Sequence, residues 1–166
     1  MEEGKAWEMG VSGIRLGDIP DIDAIVELAV EIKEQSVYAG IKLDDSKFRI
    51  LVASMMGDKT SRVIVIVDDD DKPQGFLLGL VEELFFSRSR YATDLAVYVR
   101  EGFRNLAPAM FKQFMQWAQT KPRVVRIMFG ISSGVGDPER VGRMYQSLGL
   151  SPCGGIYSKE VQSCQA

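Results

Sequence analysis

The chain has 166 residues, of which 46% are hydrophobic, 26% charged and 9% aromatic, and this composition fits one compact globular domain. Its 20 Lys and Arg against 23 Asp and Glu give a net charge of −3, without the basic excess typical of nucleic-acid-binding proteins. The absence of histidine excludes Ser-His-Asp and Cys-His nucleophile systems in their usual form, and also His-ligated zinc and haem sites.

We expect no signal peptide at the N-terminus. Residues 1–12 are expected to form a flexible arm, since residues 1–5 are acidic and lack the apolar core of a signal peptide. Residues 13–161 are expected to form one domain and 162–166 a short tail. No apolar run approaches the roughly 18 residues that span a membrane. We therefore expect a cytoplasmic protein that binds neither membrane nor nucleic acid. Cys153 and Cys164 have no CxxC partner, and no metal site is expected.

The first third of the chain predicts a short strand, 13–16, and two helices. Asp18-Ile19-Pro20-Asp21 has the features of a helix start, with Asp18 as the N-cap and Pro20 in the first turn. Apolar residues then recur at helical spacing from Ile22 to Ile32. A second helix is predicted to begin near Asp44.

A hairpin is predicted next, because the period changes from that of a helix to that of a strand. The β-branched run 62–67 and the apolar run 74–84 form its two strands, and four aspartates lie in the polar segment between them. An EF-hand calcium loop beginning at Asp68 requires Gly at its sixth position and Glu at its twelfth, where Pro73 and Gly79 stand. We interpret the aspartates as a solvated turn.

The second half of the chain alternates strands and helices. The predicted order is strand, helix, strand, helix, strand, at 92–99, 107–119, 124–131, 137–148 and 155–161. The last helix is well marked, with Asp137 as its N-cap, Pro138 at its first position and Gly149 just past its end. The whole order predicts an α/β fold with a mixed sheet.

Two segments are candidates for chemistry. After the strand end Val97-Tyr98-Val99, small residues open a helix in Arg104-Asn105-Leu106-Ala107-Pro108-Ala109. Helix N-termini carry unpaired N–H groups and partial positive charge, which suit a pyrophosphate. An ordinary strand–loop–helix connection explains this pattern equally well. Further on, Tyr145 in Tyr145-Gln146-Ser147-Leu148-Gly149-Leu150 lies on the inward face of its helix, where a tyrosine is usually part of the core.

Taken together, these two segments resemble the motifs of the GNAT acetyltransferase superfamily. In that family an R/Q-x-x-G-x-G/A loop follows a strand, and Y-x-x-L-G-F ends the next helix. The likeness is most specific over about 97–160, and is closest to small bacterial and phage-associated GNAT proteins. It implies an α/β (α+β) fold with a mixed, mostly antiparallel central sheet, splayed at its middle and flanked by about four helices.

The resemblance implies acetyl-CoA as cosubstrate. The backbone of Val97, Tyr98 and Val99 would pair with the pantetheine arm. The pyrophosphate would be held by backbone amides and by the charge of Arg104, and the amides are those of Asn105, Leu106, Ala107, Ala109 and Met110. Two departures stand out: alanine replaces both loop glycines, and Pro108 lacks an N–H. We expect this loop to bind acetyl-CoA less tightly.

The implied reaction is attack of a neutral amine on the thioester, with Tyr145 as the hydrogen-bond donor to the departing thiolate. With no histidine, the base is a carboxylate or water. Asp94 is the candidate, although related enzymes place a carboxylate one residue earlier, where Thr93 stands. A one-residue change puts a strand side chain on the other face unless a bulge intervenes. Asp94 as a carboxylate that only orders the loop is the alternative. Glu82 and Glu83 are further candidates.

The acceptor is expected to be a primary amine of a small molecule or a peptide. Its pocket is expected between the first two helices and the loop 85–91, which holds two Phe and two Arg. Glu31 and Glu34 are either attractants for a cationic amine or part of a solvated face. A homodimer is possible. The alternative function is a non-catalytic, GNAT-shaped binding or structural module. A different nucleotide-binding fold is disfavoured because GxGxxG and GxxxxGK[ST] are absent.

Overall fold

A computed structural model of the chain describes residues 13–132 and 134–161. The predicted arm 1–12 and tail 162–166 lie outside the described residues. Five strands form one sheet in sequence order. They are β1 (Ile14–Leu16), β2 (Ser61–Val67), β3 (Pro73–Glu83), β4 (Arg90–Val99) and β5 (Val124–Met128). Four helices flank them: α1 (Ile22–Gln35), α2 (Asp45–Gly57), α3 (Ala107–Gln119) and α4 (Pro138–Ser147).

The sheet is mixed and mostly antiparallel. β1 to β4 pair antiparallel, whereas β5 runs parallel to β4. β4 stays paired with β3 up to Val99, but its pairing with β5 ends at Thr93, opposite Met128. The sheet is therefore splayed between β4 and β5, and the fold predicted from the sequence is confirmed.

Each face of the sheet has its own apolar core. Ile25, Leu28 and Val52 of α1 and α2 pack with Phe76 and Tyr98 on one face. On the other face, α3 and α4 pack over the sheet through a cluster that includes Met110, Phe111, Phe114, Met144 and Tyr145. Alternation along β4 divides its residues between the faces, since Val97 and Val99 join the second cluster and Tyr98 the first.

Helix starts follow the predicted capping residues. Asp18 caps a 3-10 turn, Ile19–Asp21, that leads into α1, and the Asp21 carboxylate accepts a hydrogen bond from the Asp18 N–H. Asp44 accepts from the Lys47 N–H at the start of α2. Asp137 accepts from the Glu139 N–H at the start of α4. These contacts satisfy N–H groups that a helix leaves unpaired.

The segment 151–161 differs from the prediction. We expected a last strand at 155–161, but this segment forms no regular secondary structure and is exposed throughout. A strand requires a neighbour to pair with, and no described strand lies beside it. None of the described helices has the length and apolar character needed to cross a membrane.

Candidate functional site

The gap between β4 and β5 holds a cavity of about 650 Å³, a size typical of small-molecule sites. One wall is the part of β4 that does not pair with β5, from Asp94 to Val99. The facing wall is formed by Gly130, Ile131 and Ser132, which follow β5. The backbone edge of β4 that faces away from β3 thus borders the cavity rather than another strand.

A β-bulge marks the point where the strands separate. Asp94 lies opposite Gly79 and Ala96 lies opposite Leu78, so Leu95 is the extra residue in β4. Such a bulge bends the strand and redirects its side chains. The Asp94 carboxylate then spans the start of the gap, where its Oδ1 accepts a hydrogen bond from the Gly130 N–H at 3.3 Å.

Burial raises the pKa of the Asp94 carboxyl above its usual range, and the hydrogen bond from Gly130 opposes that shift. Asp94 lines the cavity. A carboxylate with a raised pKa in a cavity is a suitable proton acceptor. Neighbouring Thr93 does not line the cavity, and its hydroxyl donates to the Asp94 carbonyl at 3.3 Å.

Tyr145, which α4 positions, is another titratable group in the cavity. Its ring packs edge-on against Phe111, with ring centres 5.3 Å apart, and lies 5.5 Å from Phe129. Its hydroxyl donates to the Gly130 carbonyl at 3.4 Å. Burial raises the pKa of Tyr145, and the charge of Asp94 raises it further. Tyr145 therefore keeps its proton at neutral pH and remains a donor.

The far end of the cavity reaches the N-terminus of α3. A 3-10 turn, Glu101–Leu106, connects β4 to this helix, and the residues there that line the cavity are Arg104, Asn105, Ala107 and Pro108. Leu106 and Ala109 pack against the core, Met110 is fully buried, and none of these three lines the cavity. The helix N-terminus itself faces the space in which a phosphate would gain most from its partial charge.

The alanine and proline substitutions in this loop cause no backbone strain. Ala107 has φ −56° and ψ −45°, which is right-handed helical geometry that any residue adopts. Pro108 lies in the first turn of α3, where a missing N–H breaks no intrahelical hydrogen bond. The weaker acetyl-CoA binding expected of this loop therefore stays a prediction, which rests on the N–H that Pro108 lacks.

Arg104 carries the cation at this end. Its Nε donates to the Val99 carbonyl at 3.4 Å, and no carboxylate in the described part of the chain pairs with it. Arg100, in contrast, is bound through Glu31 at 2.5 Å and through Gln74 at 2.7 Å. Of the two arginines, Arg104 has its charge available for a ligand.

Ile32, Lys33, Ser36 and Tyr38, from α1 and the segment after it, also line the cavity. The loop 85–91 does not line the cavity, contrary to our expectation. It joins the end of β3 to the start of β4, whereas the cavity lies along the later part of β4. The two Phe and two Arg of the loop suggested that it borders the acceptor pocket. The direction of β4 places it at the other end of that strand.

The remaining candidate carboxylates also lie outside the cavity lining. Glu31 binds Arg100, which lowers the pKa of Glu31, and Glu34 pairs with Lys33 at 2.5 Å. Glu82 accepts from the Tyr91 hydroxyl at 2.6 Å, and Glu83 is exposed beside it. Of the carboxylates that the sequence analysis named as candidates, Asp94 is the one that lines the cavity, where Asp137, the N-cap of α4, also lies.

Several lining residues were missed from the sequence. Arg140, Val141 and Met144 line the cavity from α4, and Gly130 supplies the peptide groups between Asp94 and Tyr145. The helical period offered a signal for the first three, since they share the inward side of α4 with Tyr145. No local pattern identifies Gly130, whose role depends on how two distant segments meet.

Comparison by sequence finds no matching family model and no matching curated protein. Solved structures do match. Glucosamine-6-phosphate N-acetyltransferase from Arabidopsis thaliana is 16% identical with a TM-score of 0.68, over 90% of this chain and 97% of that one. A possible acetyltransferase from Clostridium difficile 630 is 18% identical with a TM-score of 0.65, over the same shares. An acetyltransferase from Trypanosoma brucei is 13% identical with a TM-score of 0.65, over 89% of this chain and 98% of that one.

The likeness covers nearly the whole length of these chains and shows that this chain has the GNAT fold. At such identities the agreement concerns the arrangement of strands and helices. It does not extend to the side chains that line the cavity. Within 13–132 and 134–161, no group of three or more Asp, Glu or Cys has an arrangement that could hold a metal ion.

Proposed function

We propose that this chain, which has the GNAT fold, is an N-acetyltransferase that moves an acetyl group from acetyl-CoA to a primary amine. The observation that carries the proposal is the open gap between β4 and β5, which runs from the Asp94–Gly130–Tyr145 cluster to the N-terminus of α3. The gap thus combines proton-transfer groups at one end with anion-binding groups at the other.

The residues present fit acetyl-CoA. The free backbone edge of β4 between Leu95 and Val99 offers hydrogen-bonding groups to an extended amide chain, as an added strand would use them. Arg104, Asn105 and the first turn of α3 offer cationic charge and N–H donors to a pyrophosphate. When bound, acetyl-CoA supplies the activated carbonyl group.

Asp94 and Tyr145 have complementary roles in the transfer. A bond forms between the amine nitrogen and the carbonyl carbon, and the carbon–sulfur bond breaks. Asp94, directly or through water, takes the proton that the amine loses, because its raised pKa favours accepting it. Tyr145, which keeps its proton, donates a hydrogen bond to the sulfur as negative charge develops there.

The acceptor amine is proposed to enter from the side of α1, where Ser36 and Tyr38 offer hydroxyl groups. We propose a small-molecule or peptide amine as the acceptor and the cytoplasm as the compartment. A non-catalytic module is expected to have a blocked or narrow slot beside Val97–Val99. The cavity along these residues supports the catalytic proposal instead.

The test is to incubate the chain with acetyl-CoA and a panel of primary amines. Free-thiol release and the mass of the product are the two readouts. Acetylated amine together with one free thiol per product supports the proposal. Binding of acetyl-CoA without any product, across small amines and peptides, supports the non-catalytic module. The absence of both binding and product refutes the cofactor assignment as well.

A further inference from the structure

The loop that joins β3 to β4 carries two adjacent phenylalanines that face water. Phe85 is 99% and Phe86 70% exposed, and their rings contact each other edge-on with centres 4.9 Å apart. The loop closes on itself, since the Leu84 N–H donates to the Ser89 carbonyl at 2.9 Å and the Ser87 N–H donates to the Leu84 carbonyl at 3.1 Å. It therefore holds both rings outside the core as one apolar tip. An exposed apolar tip that polar residues surround is typical of an interaction site.

Basic residues gather at the same end of the sheet as this tip. The Arg90 N–H donates to the Arg123 carbonyl at 2.7 Å, which joins the start of β4 to the residue before β5. Two residues before Arg123, Lys121 lies over the ring of Trp117 with its Nζ 4.9 Å from the ring centre. The Cζ of Arg62 lies 5.2 Å from the same ring centre. We call this set of residues the basic end; its members are Lys59, Arg62, Arg88, Arg90, Lys121 and Arg123.

The described carboxylates leave much of this charge unpaired. The carboxylates next to these cations in sequence are Asp58, Glu82 and Glu83, and the first two already accept hydrogen bonds from neighbouring residues. Burial lowers the pKa of Lys121, and the positive charges of two basic neighbours lower it further. Within residues 13–132 and 134–161, no ion pair with a carboxylate is formed by Lys59, Arg88, Arg90, Lys121 or Arg123. The basic end is therefore positive, although the whole chain has a net charge of −3.

We propose that the Phe85–Phe86 tip and the basic end together bind the surface of an anionic lipid membrane, with the two rings entering the headgroup region. Cations are attracted to an anionic bilayer surface, and aromatic rings gain by leaving water at its interface. A single-stranded nucleic acid fits less well, because its successive bases stack on separate rings, whereas these two rings stand edge-on in one tip. The expectation of no membrane binding rested on the absence of a long apolar run. That absence bears on spanning a bilayer and not on contact with its surface.

This contact leaves the far part of the cavity accessible. The loop ends where β4 begins, at Arg90, whereas the cavity wall from Asp94 to Val99 occupies the later part of the same strand. At about 3.3 Å per residue, Arg90 and Val99 are about 30 Å apart along the strand. The inference does not depend on acetyl transfer, because it concerns a surface outside the cavity.

The apolar half of the proposal is tested by co-sedimentation of the chain with vesicles, made of phosphatidylcholine alone or with about 30% phosphatidylserine. We expect the wild type to bind only the anionic vesicles, and less tightly at high salt, which screens the charges. Phe85→Ser/Phe86→Ser is expected to raise Kd by at least about tenfold, because two rings no longer leave water. Ile50→Ser/Tyr157→Ser is the matched control. These side chains are 70% and 99% exposed, in α2 and in the segment 151–161, and the control should bind as the wild type does.

The charged half is tested with Arg88→Gln/Arg123→Gln, which removes two positive charges from the basic end. We expect this variant to raise Kd by about tenfold or more. Lys42→Gln/Lys47→Gln removes the same charge at exposed positions around the start of α2 and should bind as the wild type does. Melting temperatures verify that each variant is folded.

Three results would overturn the proposal. The first is a folded wild type that does not bind anionic vesicles, or that binds neutral vesicles equally well. The second is a phenylalanine or arginine variant that binds as tightly as its control. The third is tighter binding of a fluorescent single-stranded oligonucleotide than of vesicles, lost in the same variants, which would assign the surface to nucleic acid.

Discussion

Asp94 and Tyr145 contact opposite sides of one residue, since the Asp94 carboxylate accepts from the Gly130 N–H and the Tyr145 hydroxyl donates to the Gly130 carbonyl. A single peptide segment therefore sets the separation of the two groups. The charge of Asp94 also raises the pKa of Tyr145. One group is suited to take a proton and the other to keep one, and both stand where β4 and β5 begin to part.

Removing the Tyr145 hydroxyl tests its role as the donor to sulfur. We expect Tyr145→Phe to lower turnover by on the order of 10²-fold, because the ring packing remains while the hydrogen bond in the transition state is lost. Affinity for acetyl-CoA should stay nearly unchanged. Turnover is followed by thiol release with an accepted amine. Tyr91→Phe, whose hydroxyl contacts Glu82 outside the cavity, is the control and should match the wild type. Equal turnover of the two variants would remove Tyr145 from the mechanism.

The pH dependence tests Asp94 as the base. Because burial raises the pKa of Asp94, the proportion of its active carboxylate form increases with pH through that raised value. The acidic limb of kcat/KM should therefore rise with pH in the wild type and be lost in Asp94→Asn, with lower activity at neutral pH.

The stability of the same variant separates a base from a structural carboxylate. The pKa of Asp94 is higher in the folded state than in the unfolded chain. As pH rises above the unfolded-state pKa, ionisation of Asp94 therefore favours the unfolded chain and lowers stability. Asp94→Asn should keep or increase the melting temperature at neutral pH. An unchanged pH profile together with a large loss of stability would show that Asp94 only orders the loop.

The anion site at α3 is tested by one added charge. Asn105 is exposed at the cavity near the helix N-terminus, and Asn105→Asp changes its charge at nearly constant shape. We expect acetyl-CoA affinity to fall on the order of tenfold, because the added carboxylate repels a nearby phosphate. Gln116→Glu, exposed further along the same helix, is the control with the same net charge. Calorimetric titration measures both, and equal affinities would place the phosphates elsewhere.

Gly79 lies opposite the bulge and tests how tightly the core packs there. A Cβ at this position would be 2.1 Å from Cε2 of Phe114, which is fully buried. Gly79→Ala should destabilise the fold by roughly 1–3 kcal/mol. Gly142→Ala in α4, where a Cβ meets no atom within 4 Å, should stabilise it by roughly 0.5–1 kcal/mol. Chemical denaturation measures both changes, and a neutral Gly79→Ala would contradict this packing.

Much of the fold could be predicted from the sequence, because its signals are local. Asp18, Asp137 and Pro138 mark helix starts, and the β-branched run 62–67 marks a strand. The strand at 155–161 could not be judged in this way, since a strand forms only where a partner edge is available.

The candidate site was predictable only in part. The resemblance drew attention to Tyr145 and to the loop before α3, both of which border the cavity. The placement of Asp94 depended on a bulge at Leu95, which the sequence permits without specifying. The loop 85–91 was expected beside the acceptor pocket on its composition, but it precedes β4 and does not line the cavity along the later part of that strand.

The central claim is that the gap between β4 and β5 binds acetyl-CoA, and native mass spectrometry of the wild-type chain with acetyl-CoA tests it most directly. One acetyl-CoA per chain is predicted, together with a stabilisation of about 2.7 kcal/mol at a hundredfold excess over Kd. A spectrum without bound acetyl-CoA at millimolar concentration, with an unchanged melting temperature, would contradict the claim.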